Sequence, residues 1–140
     1  MLFDHSLIGK SSAPQTFLVS REAVERFMEA TEDPALQSGK PLEYVPVTFP
    51  TTFRIAVLGL DLDGSKMQLL HGEQVYDYKR PLHIGEEVTC VVRITAVRER
   101  HGRSGPLTFI VREMVGTDSS GQQIFTAHHT SVVRSQMHKL

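Results

Sequence analysis

A histidine beside small and acidic residues is the first place where this sequence could carry out acid–base chemistry. His71 is followed directly by Gly72 and Glu73. An imidazole titrates near neutral pH and can accept or donate a proton. Glu73 and Gln74 could order this site, or they could simply cap the end of the strand. A histidine satisfied by local hydrogen bonds is the competing interpretation, because a single histidine without a fixed partner is weak evidence for catalysis.

Asp33 is a second acid–base candidate, and it lies directly before Pro34. A carboxyl group at this position could act as a catalytic acid. An aspartate that ends a helix before a proline is the more common role, and we favour it here. The weak catalytic candidates are therefore His71, Asp33 and Glu73.

Metal binding and thiol chemistry are not predicted. His128 and His129 are neighbours on an expected strand, so their side chains point to opposite faces and cannot share a metal. The chain has one cysteine, Cys90, which excludes an internal disulfide and a multi-thiolate site. Its place in an apolar alternation indicates a buried small side chain, and we expect no metal and no bound cofactor.

Composition narrows the classes of protein. The chain has 140 residues, which predicts one domain over residues 1–140. Its 15 basic and 16 acidic residues are nearly balanced, which argues against nucleic-acid binding. No apolar run is long enough to span a bilayer. The N-terminus lacks the basic and apolar regions of a secretory signal, so a cytoplasmic protein is expected.

One helix and one long loop are expected in the first half of the chain. Gln15–Val19 has the pattern of a strand, and Ser20 can cap a helix over Arg21–Thr31. A loop over Glu32–Phe49 follows, longer than most connections and therefore a functional candidate. The apolar segment Thr51–Gly59 could be a buried helix or a strand, and its periodicity does not decide.

The second half alternates with the period of strands. From Glu86 to Glu99 the even positions are apolar, and a turn over Arg100–Gly105 precedes the next strand. A second turn covers Asp118–Gly121, before a last strand over Ile124–Arg134. A helix followed by four strands predicts an α+β protein with an antiparallel sheet. An edge strand of such a sheet has unpaired backbone groups that can pair with a second subunit. The predicted apolar faces are Val88, Cys90, Val92, Ile94 and Ala96 in one strand, and Leu107, Phe109 and Val111 in the next.

The stretch from Leu70 to Leu82 is the part of the sequence most distinctive of a protein family, and it reads LHGEQVYDYKRPL. With IGEEVT at 84–89, it resembles the N-terminal-type hot-dog domain of the MaoC-like dehydratases. Segments 21–30, 105–111, 117–121 and 132–134 continue the resemblance in the same order, so it covers most of the chain. It implies a curved antiparallel sheet wrapped around one main helix. It also implies a dimer that binds an acyl thioester at its interface.

The resemblance implies reversible hydration of trans-2-enoyl thioesters to 3-hydroxyacyl thioesters. In catalytic members an Asp and a His from a D-x-N-P-x-H segment act on water, and backbone N–H groups polarise the thioester carbonyl. Here the segment at 31–39 reads TEDPALQSG. Asp33 and Pro34 match, but the next histidine is His71. The resemblance therefore implies the non-catalytic half of a two-chain hydratase or dehydratase.

Five residues are candidates for substrate binding in this interpretation. Tyr76, Tyr78 and Gly72 would line the acyl tunnel, although two aromatics on one strand face are also typical of a core or an interface. Arg100 and Arg103 would hold the phosphates of coenzyme A or an acidic carrier protein. The alternative for this basic group, which includes Arg98 and His101, is a solvated hairpin end.

Two other functions stay open. The chain could be a self-sufficient homodimeric hydratase or thioesterase that uses His71 with Glu73 or Asp77. It could also be a non-enzymatic protein that binds an acyl thioester. In each case the expected partner is a hot-dog chain, as a homodimer or a heterodimer.

Overall fold

The computed structural model describes residues 3–39, 42, 44–62, 67–103 and 105–135. Pro41 of the predicted loop and Ser104 of the predicted turn lie outside these ranges. The regular elements are strand β1, helix α1 and strands β2 to β5, with three short 3₁₀ helices before β2. Their bounds are β1 Gln15–Leu18, α1 Arg21–Ala30, β2 Met67–Tyr78, β3 Glu87–Gly102, β4 Gly105–Thr117 and β5 Gln123–Ser135, and the 3₁₀ helices are His5–Leu7, Pro34–Gln37 and Phe49–Thr52.

The five strands form one antiparallel sheet in the order β1-β3-β4-β5-β2. The sheet curls around α1 and the segment from Phe49 to Val57, which cover its concave face. The predicted fold class, an antiparallel sheet wrapped around one main helix, is confirmed. Strands β1 and β2 form the two edges.

Helix α1 begins where the sequence predicts. The hydroxyl of Ser20 accepts a hydrogen bond from the backbone N–H of Ala23 at 3.1 Å, which satisfies an N–H group that has no partner within the helix. Val24 and Met28, one helical turn apart, are fully buried against the sheet. The helix thus closes one end of the concave face.

Side chains on the concave face form rows that run across the sheet, because directly paired residues of neighbouring strands point the same way. An apolar row lies near α1, a mixed row follows, and a row with three polar residues comes next. In order from β2 to β3 the rows are Tyr78, Phe125, Gly116 and Cys90; Tyr76, Ala127, Met114 and Val92; and Gln74, His129, Arg112 and Ile94.

Three β-bulges interrupt the register of the described strands. One is at Ile124, where the pairing of β4 with β5 shifts after Gly116, and the other two change which side chains of β2 and β3 face inward. The register of β2 against β5 shifts between His71 and Glu73, so Gly72 is an extra residue. The pairing register of β3 with β4 also shifts, between Ile94 and Ala96, so Thr95 is an extra residue in β3. An extra residue reverses the alternation beyond it. His71 and Gln74 therefore face the same side of the sheet although they are three residues apart.

Three expectations need correction. Beyond the bulge, Val97 and not Ala96 is buried in β3. In β4 the core face carries Ile110 with Thr108, so the predicted face of Leu107, Phe109 and Val111 is the half-buried outer face. The segment over Thr51–Gly59 is neither an α-helix nor a paired strand: a 3₁₀ turn ends at Thr52 and irregular chain follows.

The connection from β2 to β3 is held by a bidentate ion pair. The guanidinium of Arg80 donates to both carboxylate oxygens of Glu86, at 3.0 and 2.7 Å. Asp118 at the β4–β5 turn lies 3.5 Å from the same guanidinium. The RPL and GEE parts of the distinctive segment therefore have a structural role, because they join two connections at one end of the sheet.

Candidate functional site

A cavity of about 620 Å³ lies between the concave face and the segment that covers it. Its floor comes from strands β2 to β5, and its wall comes from residues 50–56. This volume is within the range of small-molecule sites. Apolar side chains make much of the lining: Phe53, Ile55, Val92, Met114 and Ala127.

Polar residues from three neighbouring strands meet at this cavity, and we call them the concave polar cluster. Its members are His71 and Gln74 of β2, Arg112 of β4, and His129 and Ser131 of β5. All but Ser131 line the cavity. Register explains their proximity, because His129 pairs with both Gln74 and Arg112, and Ser131 pairs with His71.

His129 is held in one orientation by its neighbours. Its Nδ1 atom lies 2.8 Å from the side-chain oxygen of Gln74. An amide oxygen can only accept, so Nδ1 carries the proton and Nε2 keeps its lone pair. The ring of His71 packs edge-on against that of His129, with centroids 4.2 Å apart. Burial, and then the charges of Arg112 and His71, lower the pKa of His129 to about 4.

Arg112 is a half-buried cation within the concave polar cluster. One terminal nitrogen donates to the hydroxyl of Ser131 at 3.0 Å, while its Nε atom is buried without a hydrogen-bond partner. Burial lowers the pKa of the guanidinium, but an arginine stays charged in proteins. Among the described residues no carboxylate pairs with it, although buried charges are usually paired and this side chain is half-buried.

The cluster is better suited to binding than to proton abstraction. A general base works best with a pKa near the working pH, and the pKa of His129, about 4, is far below neutrality. Neutral His129 offers an acceptor, and Arg112 offers a positive charge beside it. Together they could hold a polar or anionic group of a bound molecule.

The lowered pKa of His129 makes stability depend on pH. The pKa of a histidine in an unfolded chain is about 6.5, and the pKa of His129 in the folded chain is about 4. The unfolded state therefore binds the proton more tightly. The stabilisation is present above pH 6.5 and is lost as the pH falls towards 4. We expect a loss of roughly 1–2 kcal/mol, reduced because the ring is half exposed.

Urea unfolding at several pH values would measure this loss. The variant His129→Gln should lack that part of the pH dependence, and His101→Gln, which alters an exposed histidine of the β3–β4 hairpin, should retain it. Equal pH profiles for the wild type and His129→Gln would show that His129 titrates normally.

Asp33 lies in a different place from His71. One carboxylate oxygen accepts from the backbone N–H of Ala35 at 3.0 Å and caps the 3₁₀ helix. The other accepts from the hydroxyl of Tyr44 at 2.9 Å, and this hydrogen bond raises the pKa of Tyr44. Asp33 lines a separate cavity beside the end of α1. The candidates His71 and Asp33 therefore line different cavities of the chain and are not brought together.

The two tyrosines of β2 contact the covering segment. The hydroxyl of Tyr78 donates to the carbonyl of Val47 at 2.6 Å, and that of Tyr76 lies 3.5 Å from the carbonyl of Thr48. Burial raises the pKa of Tyr76 to about 12 and raises that of Tyr78 as well. Tyr76 also lines the cavity, whereas Tyr78 packs against Phe125.

The other candidates lie outside the cavity lining. Glu73 and Asp77 are exposed, and they alternate with Gln74 and Tyr76, so they occupy the outer face. Gly72 forms the bulge, where a Cβ atom would meet Val132 at 2.9 Å. This close approach explains why a glycine stands there.

The basic group lies at the far end of the β3–β4 hairpin. Arg100 packs over the ring of Phe109 at 5.9 Å, and Arg103 is exposed in the turn. Arg100 is eight residues from Val92 of the cavity along β3, which is roughly 25 Å at the rise of a strand.

The remaining chemical candidates have ordinary surroundings. Cys90 is fully buried, and burial raises its pKa to about 12, so its thiol is inert. His128 faces the outer side and lies 3.1 Å from Glu113, which confirms that the adjacent histidines point apart. The described residues contain no group of three or more potential metal ligands, and none of their helices could span a membrane.

Sequence reasoning missed Arg112 and gave His129 no role in a site. The available signal was an arginine between Ile110 and Met114 in an alternation, which places a charge on the core face of β4. The alternation of Leu107, Phe109 and Val111 predicts an apolar face on the other side of β4, and this competing pattern hides the signal from Arg112.

The curled sheet, the covering segment and the edge strands define a hot-dog protein of the MaoC-like dehydratase type. A family profile described as "FAS1-like, dehydratase domain region" matches residues 6–127. The chain belongs to this family, which confirms the resemblance of the segment at 70–82.

Individual proteins of similar sequence or structure are consistent with this family assignment. A UPF0336 protein of Streptomyces avermitilis is 29% identical over 154 aligned residues, covering 96% of this chain and 97% of that protein. The HadBC complex of Mycobacterium tuberculosis, described as a 3R-hydroxyacyl-ACP dehydratase, contains a chain with a TM-score of 0.65 and 21% identity; the match covers 90% of this chain and 96% of that one. A MaoC-like dehydratase gives a TM-score of 0.71 and 25% identity, over 94% of this chain and 43% of that one.

Proposed function

We propose that this chain is the supporting half of a two-chain hydratase or dehydratase. The enzyme would interconvert trans-2-enoyl and 3-hydroxyacyl thioesters, carried on coenzyme A or on a carrier protein. A second hot-dog chain would supply the catalytic Asp and His. This chain would stabilise the pair and help to shape the acyl-binding tunnel.

The surroundings of Asp33 carry the proposal. Both of its carboxylate oxygens are used, one to cap the Pro34–Gln37 helix and one to bind Tyr44. The residues that line its cavity in the described structure include no histidine. The acid–base pair of the catalytic family members therefore has no equivalent at this position. Membership of the dehydratase family and the two-chain HadBC complex among similar structures support the pairing.

Hydration of an enoyl thioester tests the proposal directly. The purified chain alone should give no loss of the conjugated enoyl absorbance above the uncatalysed rate, and activity should appear with a hot-dog partner that carries a complete D-x-N-P-x-H segment. In the complex, Asp33→Asn should leave kcat within about twofold, because asparagine also caps a helix start. Turnover by the folded chain alone, or a large loss of kcat in Asp33→Asn, would overturn the proposal.

A self-sufficient hydratase or thioesterase is the second candidate, and the histidine pair of the cavity favours it. His71 and His129 are in ring contact beside Arg112. The low pKa of His129 counts against a role as general base. If the chain alone is active, His71→Ala should abolish that activity while the fold is retained. Unchanged activity in this variant would remove the second candidate.

The exposed edge of β2 is the surface where we expect the partner subunit to pair. Leu70 is 64% exposed and Val75 is 45% exposed on this strand, and an edge presents unpaired backbone groups to a second strand. We expect Leu70→Lys to shift the assembly towards monomer in light scattering after size exclusion. Leu58→Lys is the matched control, because Leu58 is 91% exposed in a turn. Equal effects of the two substitutions would place the interface elsewhere.

A further inference from the structure

Positive charge is concentrated at the cavity although the whole chain is nearly neutral. The chain has a formal charge of −1. Arg54 and Arg112 both line the cavity, and none of the described lining residues is Asp or Glu. Elsewhere in the described structure, Arg26, Arg80 and Arg93 each have a carboxylate within 4 Å. The lining of the cavity therefore carries a net positive charge.

Of the two cavity arginines, Arg112 has the guanidinium group whose hydrogen-bonding capacity is left partly unused. Its only hydrogen bond in the described residues goes to Ser131, and its Nε–H is buried without an acceptor. A half-buried cation without a carboxylate partner is left with an N–H group that nothing in the described structure accepts, so an anion that binds there would gain the interaction that the protein leaves unsatisfied. His129 and Gln74 are hydrogen-bonded to each other and leave the guanidinium available.

The remaining lining determines which anion fits. Phe53 and Ile55 of the covering segment present apolar surface to the cavity, as do Val92, Met114 and Ala127 of the sheet, whose row lies next to that of Arg112 and His129. A ligand that uses both parts needs an anionic head and an apolar chain. Inorganic phosphate could contact the guanidinium of Arg112, but it has no apolar chain to cover the apolar lining.

We infer that the cavity is a binding site for small aliphatic carboxylates, with Arg112 as the group that binds the carboxylate. The carboxylate would accept from the guanidinium in the planar geometry that arginine favours. The aliphatic chain would lie against Ile55, Met114 and Ala127. This site does not depend on the proposed catalytic partnership, since every residue in it belongs to this chain.

Titration of the full-length chain with hexanoate, followed by NMR of the histidine side chains, tests the inference. Hexanoate should shift the His71 and His129 resonances saturably, because both rings line the cavity. Hexanamide has the same chain without the charge and should bind at least tenfold more weakly. Inorganic phosphate should compete poorly with hexanoate.

Two substitutions separate the role of Arg112 from a general effect of charge. Arg112→Gln should weaken hexanoate binding at least tenfold while the melting temperature stays the same or rises, because the variant removes a half-buried charge that has no carboxylate partner among the described residues. Arg93→Gln is the matched control: Arg93 pairs with Glu113 on the outer face, and this variant should bind as the wild type does.

Several results would overturn the inference. Equal binding of hexanoate and hexanamide would show an apolar pocket without carboxylate recognition. Phosphate binding as tight as that of hexanoate would show a simple anion site. An absence of histidine shifts at millimolar hexanoate would mean that no small carboxylate binds in the cavity.

Discussion

Replacing Phe49 by alanine is expected to lower the free energy of unfolding by about 3–5 kcal/mol, the usual cost of removing a buried aromatic ring. Phe49 is only 1% exposed. Its ring makes edge-on contacts with Phe27 of α1 and with Phe53, at centroid distances of 5.6 Å in both cases. The covering segment therefore belongs to the core, although it has no regular helix beyond Thr52.

Urea denaturation of Phe49→Ala would measure the effect, with Val47→Ala as the matched control. Val47 lies two residues earlier and is 65% exposed, so its truncation should change stability by less than about 0.5 kcal/mol. If Phe49→Ala cost less than about 1 kcal/mol, the covering segment would not be packed on the sheet, and the cavity beneath it would lose its wall.

Gly116→Ala is expected to destabilise the fold by about 2–3 kcal/mol, because the added methyl group overpacks the core. A Cβ atom at Gly116 would lie 2.3 Å from Cε1 of Phe125. Phe125 is completely buried, so its ring cannot move into solvent. The ring lies over Gly116 because the two residues are directly paired between β4 and β5.

Gly102→Ala provides the control for Gly116→Ala. Gly102 is also a strand glycine, and the nearest atom to its added Cβ would be 3.5 Å away, an ordinary contact. Its substitution should cost less than about 0.5 kcal/mol. The double variant Gly116→Ala with Phe125→Leu should be less destabilised than the sum of the single variants. Strict additivity would contradict the proposed clash.

Local chemistry explains why much of the fold could be predicted from the sequence. Ser20 caps α1, and Asp118 accepts from Ser120 and Gln122 in the last turn. These interactions involve residues two to four apart, so a sequence pattern contains them. Alternation in β3 likewise identified Val88 as a core residue. The bulges at Gly72 and Thr95 depend on pairing with another strand, and no local pattern indicated them.

The candidate site was harder to predict for the same reason. Gln74, His129 and Arg112 are far apart in the sequence and meet only because the order of the strands places β5 between β2 and β4. The register that aligns them includes the extra residue at Gly72. The sequence did single out His71 with Glu73 and Gln74 as possible companions, but only the bulge decides between the two: it places Gln74 beside His71 and Glu73 on the outer face.

The bulge at Gly72 has a consequence for protein solubility. Strand β2 is a long edge with exposed Leu69 and Leu70 beside the bulge, and an uninterrupted apolar edge can recruit further chains without limit, as in fibril growth. An extra residue breaks the row of backbone donors and acceptors that such growth needs. The irregularity that brings His71 and Gln74 together thus also acts against aggregation, because it restricts the registers in which another strand can be added.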